Sequence, residues 1–195
     1  MKNFIDISAE TERRARKVLD DSGIIRIWKG AGAEVRMVGS LAMGLMMKHR
    51  DIDLHIYTDR LDPAEDFATM ARLAANPAVE RVTYTNLAAT EEECLEWHAW
   101  LRDEQGDEWQ ADMIHIRRGS RYDGYFERMA ERIKAVMAPW QRETILRLKF
   151  ETPDTEHIAG VEYYMAVIRD GIGTYDEFIR WRTTHQFDGI IDWQP

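Results

Sequence analysis

The stretch that most limits what this chain can fold into is Asp51–Tyr57, "DIDLHIY", where polar and apolar residues alternate without a break. Successive side chains of a β-strand point to opposite faces. The pattern therefore predicts a strand with Asp51, Asp53, His55 and Tyr57 on one face and Ile52, Leu54 and Ile56 turned to the core. Two carboxylates then share a face, roughly 6.5–7 Å apart along the chain. Like charges held out of water raise one another's pKa, so such a face needs a compensating cation.

A hard divalent cation meets that need. Mg²⁺ takes oxygen ligands, typically one or two carboxylates completed by waters and substrate phosphates, and a pair of such ions suits in-line phosphoryl or nucleotidyl transfer. Upstream, Val35–Val38 reads as a short strand and Ser40–Met47 as one or two helical turns, which puts Gly39-Ser40 at a strand-to-helix junction. Glycine lets a phosphate approach the backbone closely, while freed N–H groups and the serine hydroxyl can donate to it and the helix end adds positive potential. Asp112, in the apolar context of "WQADMIHI", is the candidate third carboxylate.

The rest of the chain divides by pattern. Ser8–Asp21 reads as a helix capped by Ser8 and ended by Gly23, and Asp62-Pro63 with Glu65 opens another that Asn76-Pro77 closes. Val79–Thr85 is a candidate strand. Cys94–Arg102 and Glu108–Ile116 read as the arms of a hairpin around "DEQGD", with Gln110, Asp112, Ile114 and Ile116 on one face. Helical signals then take over: Ser120–Met137, Trp140–Phe150, Thr155–Asp170 and Tyr175–Arg182, the last with a capping box at Thr174 and Glu177. The expected architecture is α+β, a mixed sheet with flanking helices over residues 1–118, followed by a helical region over residues 119–195.

With 195 residues there is room for a sizeable core without disulfides or structural metals. The single cysteine, Cys94, allows no internal disulfide and reads as a packed residue; with no apolar signal core and no membrane-length apolar run, the expected location is cytoplasmic. A formal charge of −9 is ill suited to gripping a long nucleic acid by its phosphates, so none is expected, although a nucleotide can bind through a divalent cation. Calcium-loop, dinucleotide-fingerprint, P-loop and zinc patterns all fail on inspection: Ile56 stands where a calcium loop needs glycine, and "GAGAEV" opens onto a strand.

Val38-Gly39-Ser40, ten residues, Asp51-Ile52-Asp53-Leu54, and a distant strand Asp112 together resemble the nucleotidyltransferase superfamily of the DNA polymerase β type, including the minimal and the aminoglycoside and lincosamide nucleotidyltransferases. The resemblance covers roughly residues 24–118. It implies the nucleotidyltransferase fold and transfer of an NMP from an NTP, ATP among them, to a hydroxyl of a small molecule or protein. It further implies one or two Mg²⁺ ions on Asp51, Asp53 and Asp112, with Gly39 and Ser40 on the phosphates. Arg50 departs from the serine that many relatives carry before the first acid, and is read either as a cation for the triphosphate or as a solvated charge. The competing reading is a non-catalytic module of the same fold that binds a nucleotide or a partner, as in a two-gene regulatory pair.

Several residues read as structural on their own patterns: Met43, Met46 and Met47 as core, Trp97, Trp100 and Trp109 as sheet packing, and His115 on the face opposite Asp112. His55 shares the aspartate face and reads as structural or exposed. Lys149 and Arg147 are able to meet a triphosphate, but a solvated helix face is the default for both.

Overall fold

The computed structural model describes residues 3–187, 189, 191 and 193–195. Two helices open it, α1 (Phe4–Ser22) and α2 (Ile24–Gly30), followed by β1 (Glu34–Met37) and the one-turn α3 (Gly39–Met43). Then come β2 (Asp51–Thr58), α4 (Pro63–Ala74), β3 (Val79–Asn86), β4 (Cys94–Arg102) and β5 (Glu108–Arg117). The remainder is helical: α5 (Tyr125–Val136), α6 (Pro139–Glu151), α7 (Gly160–Tyr164) running into a π-helical turn (Met165–Arg169), and α8 (Tyr175–Thr184). The fold is α+β, a five-stranded mixed sheet with flanking helices.

The strands lie in the order β1-β2-β5-β4-β3. Only the central pair, β2 with β5, is parallel; every other pair is antiparallel. The alternation of β2 sets which face is which. Ile52, Leu54 and Ile56 are fully buried in a core with Ala111 and Met113 of β5, Trp97 of β4, and Trp28, Leu73 and Leu19 from α2, α4 and α1. His115 belongs to that side too, bonded to buried Asp66 of α4 and to Thr58. The opposite face carries the aspartates. A second core joins α5–α8 to Met43, Leu45 and Met47, and α1 adds Phe4, Ile5 and Ile7 to it.

Local caps follow the sequence in most places. Asp62 accepts from the Ala64 and Glu65 amides, Thr174 and Glu177 form their capping box, and Gly23 ends α1 with φ +70°. The first helix begins earlier than its pattern predicts: Asn3 caps it, and Ser8 is buried inside, bonded to Glu12. The helix α2, a short apolar run with no side-chain cap, has no counterpart among the expected elements. The expected helix over Thr155–Asp170 starts only at Gly160, which leaves residues 155–159 as a loop.

Candidate active site

The parallel register pairs Asp53 directly with Asp112, and Asp51 with Gln110. On the far side of β5, His98 of β4 is the partner of Asp112. One row across the sheet thus reads Asp53, Asp112, His98. Gly39 touches this row from α3. It sits at φ +61°, a left-handed conformation that costs other residues strain, and a Cβ there would lie 1.8 Å from Asp53 Oδ2. The Val38 amide donates to the Asp53 carbonyl at 3.1 Å, which fixes the Gly-Ser junction against β2.

The carboxylates of Asp51 and Asp53 have no hydrogen bond or ion pair with the protein among the described residues. Burial, then the repulsion of Asp112 and Asp51, pushes the Asp53 carboxyl up to about 6. Asp51 is raised by burial and by Asp112 as well. These are the groups whose charges call for a cation. Asp112 is better supported. His98 Nδ1 stands 2.5 Å and Gln110 Nε2 2.8 Å from the same oxygen, Oδ1, so Oδ2 is the one left for other ligands. His98 in turn contacts Glu96 at 3.0 Å, and its hydrogen bond to Asp112 holds it more basic than an ordinary histidine.

The carboxylates line a cleft of about 350 Å³ whose other wall comes from the helical part: Lys149 of α6, His157–Gly160 of the loop and first residue of α7, and Tyr163. Ser40 Oγ and Lys149 Nζ are 2.8 Å apart. Lys149 also donates to the Leu45 carbonyl at 3.0 Å and approaches the Tyr164 hydroxyl at 3.4 Å. The Lys149 ammonium therefore faces the site and not solvent, the reverse of its default reading. Met46 and Met47 line the same cleft while their bulk is buried. A second pocket of about 290 Å³ shares Ser40, Asp53, Asp112 and Gly160 with the first but is walled by Ile114, Phe126, Met129 and Val161. The two form a polar lobe and an apolar lobe that meet at the carboxylates.

Asp51, Asp53, Asp112, Gly39 and Ser40 are thus brought together, as the motif spacing implies. Arg50 is not. Its guanidinium pairs with Asp107 at 2.9 Å, in a cluster with Arg14 and Asp103, and it borders a second groove, with Trp100 and Gln110, that meets the cleft at His49 and Asp51. His49, His157, Phe126 and Val161 are site-lining residues that sequence reasoning missed; none of the four stands in a spacing pattern that would mark it.

The donor set suits Mg²⁺. No three acidic or histidine side chains among the described residues form a ready-made cage. Two unpaired carboxylates beside an open cleft nevertheless fit the usual donor set of this ion, one or two carboxylates with the remaining positions going to water and substrate oxygens.

No protein-family model matches the sequence, and no curated protein matches it. Solved structures do. The poly(U) polymerase Cid1 bound to MgATP aligns with a TM-score of 0.59 at 17% identity, covering 81% of this chain and 49% of that one. The non-canonical poly(A) polymerase complex GLD-2–GLD-3 gives 0.56 at 11%, covering 86% and 58%. A cytoplasmic RNA terminal U-transferase gives 0.52 at 17%, covering 86% and 52%. This chain spans between 49% and 58% of their lengths. At these identities the likeness establishes the fold: this chain has the nucleotidyltransferase fold of these structures.

Proposed function

We propose that this protein is a Mg²⁺-dependent nucleotidyltransferase that moves an NMP from an NTP to a hydroxyl and releases pyrophosphate. The observation that carries the reading is the meeting of three carboxylates with the Ser40–Lys149 pair in one cleft. Asp51 and Asp53, with Asp112, would hold one or two Mg²⁺ ions, which neutralise phosphate charge and favour ionisation of the attacking hydroxyl when bound. Ser40 and Lys149 donate to the β- and γ-phosphates, with His49 and His157 at the same lobe. The acceptor oxygen attacks the α-phosphorus, the bond to the bridging oxygen of pyrophosphate breaks, and Asp112 takes the hydroxyl proton. Most of the rate gain is positioning and charge stabilisation. Arg50, held by Asp107, takes no part in phosphate binding in this reading.

The acceptor divides into two cases. The structural neighbours are a poly(U) polymerase, a poly(A) polymerase and an RNA terminal U-transferase, which favours an RNA 3′-hydroxyl. The net charge of −9 favours a small molecule or protein hydroxyl, with no long nucleic acid held. Mg²⁺-dependent pyrophosphate release, measured with a short RNA and with a panel of small hydroxyl compounds and proteins, separates them. Equal release by the wild type and Asp53→Asn would overturn the assignment. Stabilisation by NTP that ignores Mg²⁺, without turnover, would indicate a binding module instead.

A further inference from the structure

Arg50 is the one residue of the motif that the proposed reaction leaves idle, and it directly precedes the first carboxylate. Strand β2 begins at Asp51. Before it, residues 45–50 form neither helix nor strand. The first residue of a strand is where its ladder frays, so a carboxylate there keeps its place only if the residues before it are held.

Two anchors hold them. Lys48 reaches the helical wall, donating to the Thr152 carbonyl at 2.7 Å and pairing with Asp154 at 2.7 Å. Arg50 reaches the hairpin turn between β4 and β5. Its carbonyl accepts from the Gln110 amide at 2.9 Å, which carries the β2–β5 ladder one residue past Asp51, and its guanidinium donates to Asp107 Oδ2 at 2.9 Å. Asp107 is itself fixed. Its Oδ2 also accepts from Arg14 of α1 at 2.7 Å, and its amide donates to Asp103 Oδ1 at 3.0 Å. Asp103 accepts further bonds from Arg14, from the Trp109 indole at 2.9 Å and from the Gln105 amide at 3.0 Å. The Arg14 and Asp103 side chains are only 16% and 7% exposed. An isolated surface ion pair contributes little, but this one ends in a network with a buried, many-bonded root, and such networks hold a geometry. Inside the cleft the Asp51 carboxylate has no such support from the protein among the described residues.

We infer that Arg50 is a positioning residue: through Asp107 and the Arg14–Asp103 root it fixes the start of β2, and with it the Asp51 carboxylate, as a metal ligand. The role rests on the nucleotidyltransferase reading and needs no contact of Arg50 with phosphate or metal. It also accounts for the departure from serine before the first acid, because a serine side chain is too short to reach the turn. Groups that orient metal ligands from behind cost roughly 10- to 100-fold in metal affinity when they are lost.

The test is Mn²⁺ binding to the nucleotide-free protein, followed by electron paramagnetic resonance, with Mn²⁺ standing for Mg²⁺. The Arg50 and Asp107 side chains are each 38% exposed, so their removal leaves the core intact. Arg50→Ala and Asp107→Ala are each expected to weaken binding about tenfold, and the double variant no more than the weaker of the two. Arg50→Lys keeps the charge and recovers affinity to within about threefold of wild type. Arg118→Ala, which breaks the exposed pair with Asp59 just past the other end of β2, leaves it unchanged. In turnover at saturating Mg²⁺, kcat falls with the metal affinity while the KM for NTP stays within about twofold. Mn²⁺ affinity close to wild type in both Arg50→Ala and Asp107→Ala overturns the inference, and so does an equal loss in Arg118→Ala, which would mark a general loosening of the sheet. Asp53→Asn separates that failure from failure of the underlying reading: no Mn²⁺ binding by the wild type, or binding that Asp53→Asn leaves unchanged, overturns the metal assignment and the proposed reaction with it.

Discussion

Gly39→Ala is the most exacting perturbation of the site, because two separate costs fall on one methyl group. The first is local. Gly39 holds φ +61°, and placing a side chain in that left-handed region costs roughly 1–2 kcal/mol. For a chain of this length that corresponds to a fall in Tm of roughly 2–8 °C. The second cost is borne by Asp53. The new Cβ would lie 1.8 Å from Oδ2 and 2.6 Å from Cγ, so the carboxyl must retreat by about 1.6 Å to reach ordinary contact. A displacement of about 1 Å at a reacting centre is enough to lose on the order of 10²-fold in rate. Mg²⁺-dependent pyrophosphate release should therefore drop at least that far in Gly39→Ala, approaching the level of Asp53→Asn, although the protein stays folded by circular dichroism. Combining the two is diagnostic: in an Asp53→Ala background, Gly39→Ala should cost stability but almost no further activity. Activity within threefold of wild type in Gly39→Ala would refute the reasoning, since it would mean that Asp53 need not stand where the structure places it.

Other outcomes follow from the same geometry. Asp53, raised to about 6 by burial and by its acidic neighbours, binds a proton more tightly folded than unfolded. Its contribution to stability is thus present at low pH and is lost as pH rises from about 4 through about 6, on the order of 2–3 kcal/mol; metal-free thermal melts should show a steeper slope in the wild type than in Asp53→Asn, where only the raised Asp51 remains to give one. Lys149→Ala should raise the KM for NTP roughly 10- to 100-fold, the loss of one charge-assisted hydrogen bond, in steady-state assays with kcat less affected. His98→Ala removes one of the two groups on Asp112 Oδ1 and should lower kcat roughly tenfold while leaving the KM for NTP near wild type; a change confined to KM would contradict a positioning role. Arg50→Ala should leave NTP binding within twofold by calorimetry, because its charge is spent on Asp107.

The part of the site written in short-range pattern was readable. Alternation in β2 fixes the side on which Asp51 and Asp53 emerge, and the same alternation in β5 fixes Asp112, so the three share a face once the strands pair; the register that sets Asp53 opposite Asp112 is seen only in the structure. Gly39 was legible as the glycine of a strand-to-helix junction, read as an opening for phosphate; that a Cβ there would also collide with Asp53 shows only in the structure. What could not be read depends on contacts between distant segments. Lys149 sits beside Ser40 across 109 positions, and nothing within "ILRLKF" distinguishes a lysine aimed inward from one aimed at water. Arg50 looked available because its partner, Asp107, arrives from a turn 57 residues later. The helix α2 escaped notice because it starts directly after the glycine that ends α1 and has no capping side chain to announce it. Helical pattern continued through residues 155–159, but there the chain forms a loop that presents His157 to the cleft.

The first helix has a mechanical consequence. Its 19 residues span about 28 Å, with Ala15, Val18 and Leu19 anchored in the sheet's core and Phe4, Ile5 and Ile7 anchored among the C-terminal helices. The cleft lies between those same two bodies, so α1 acts as a rigid strut across the back of a jaw. The halves cannot swing apart without pulling one end of the strut out of its socket. The two walls that carry Lys149 and the aspartates are thus braced by a helix that does not itself line the cleft.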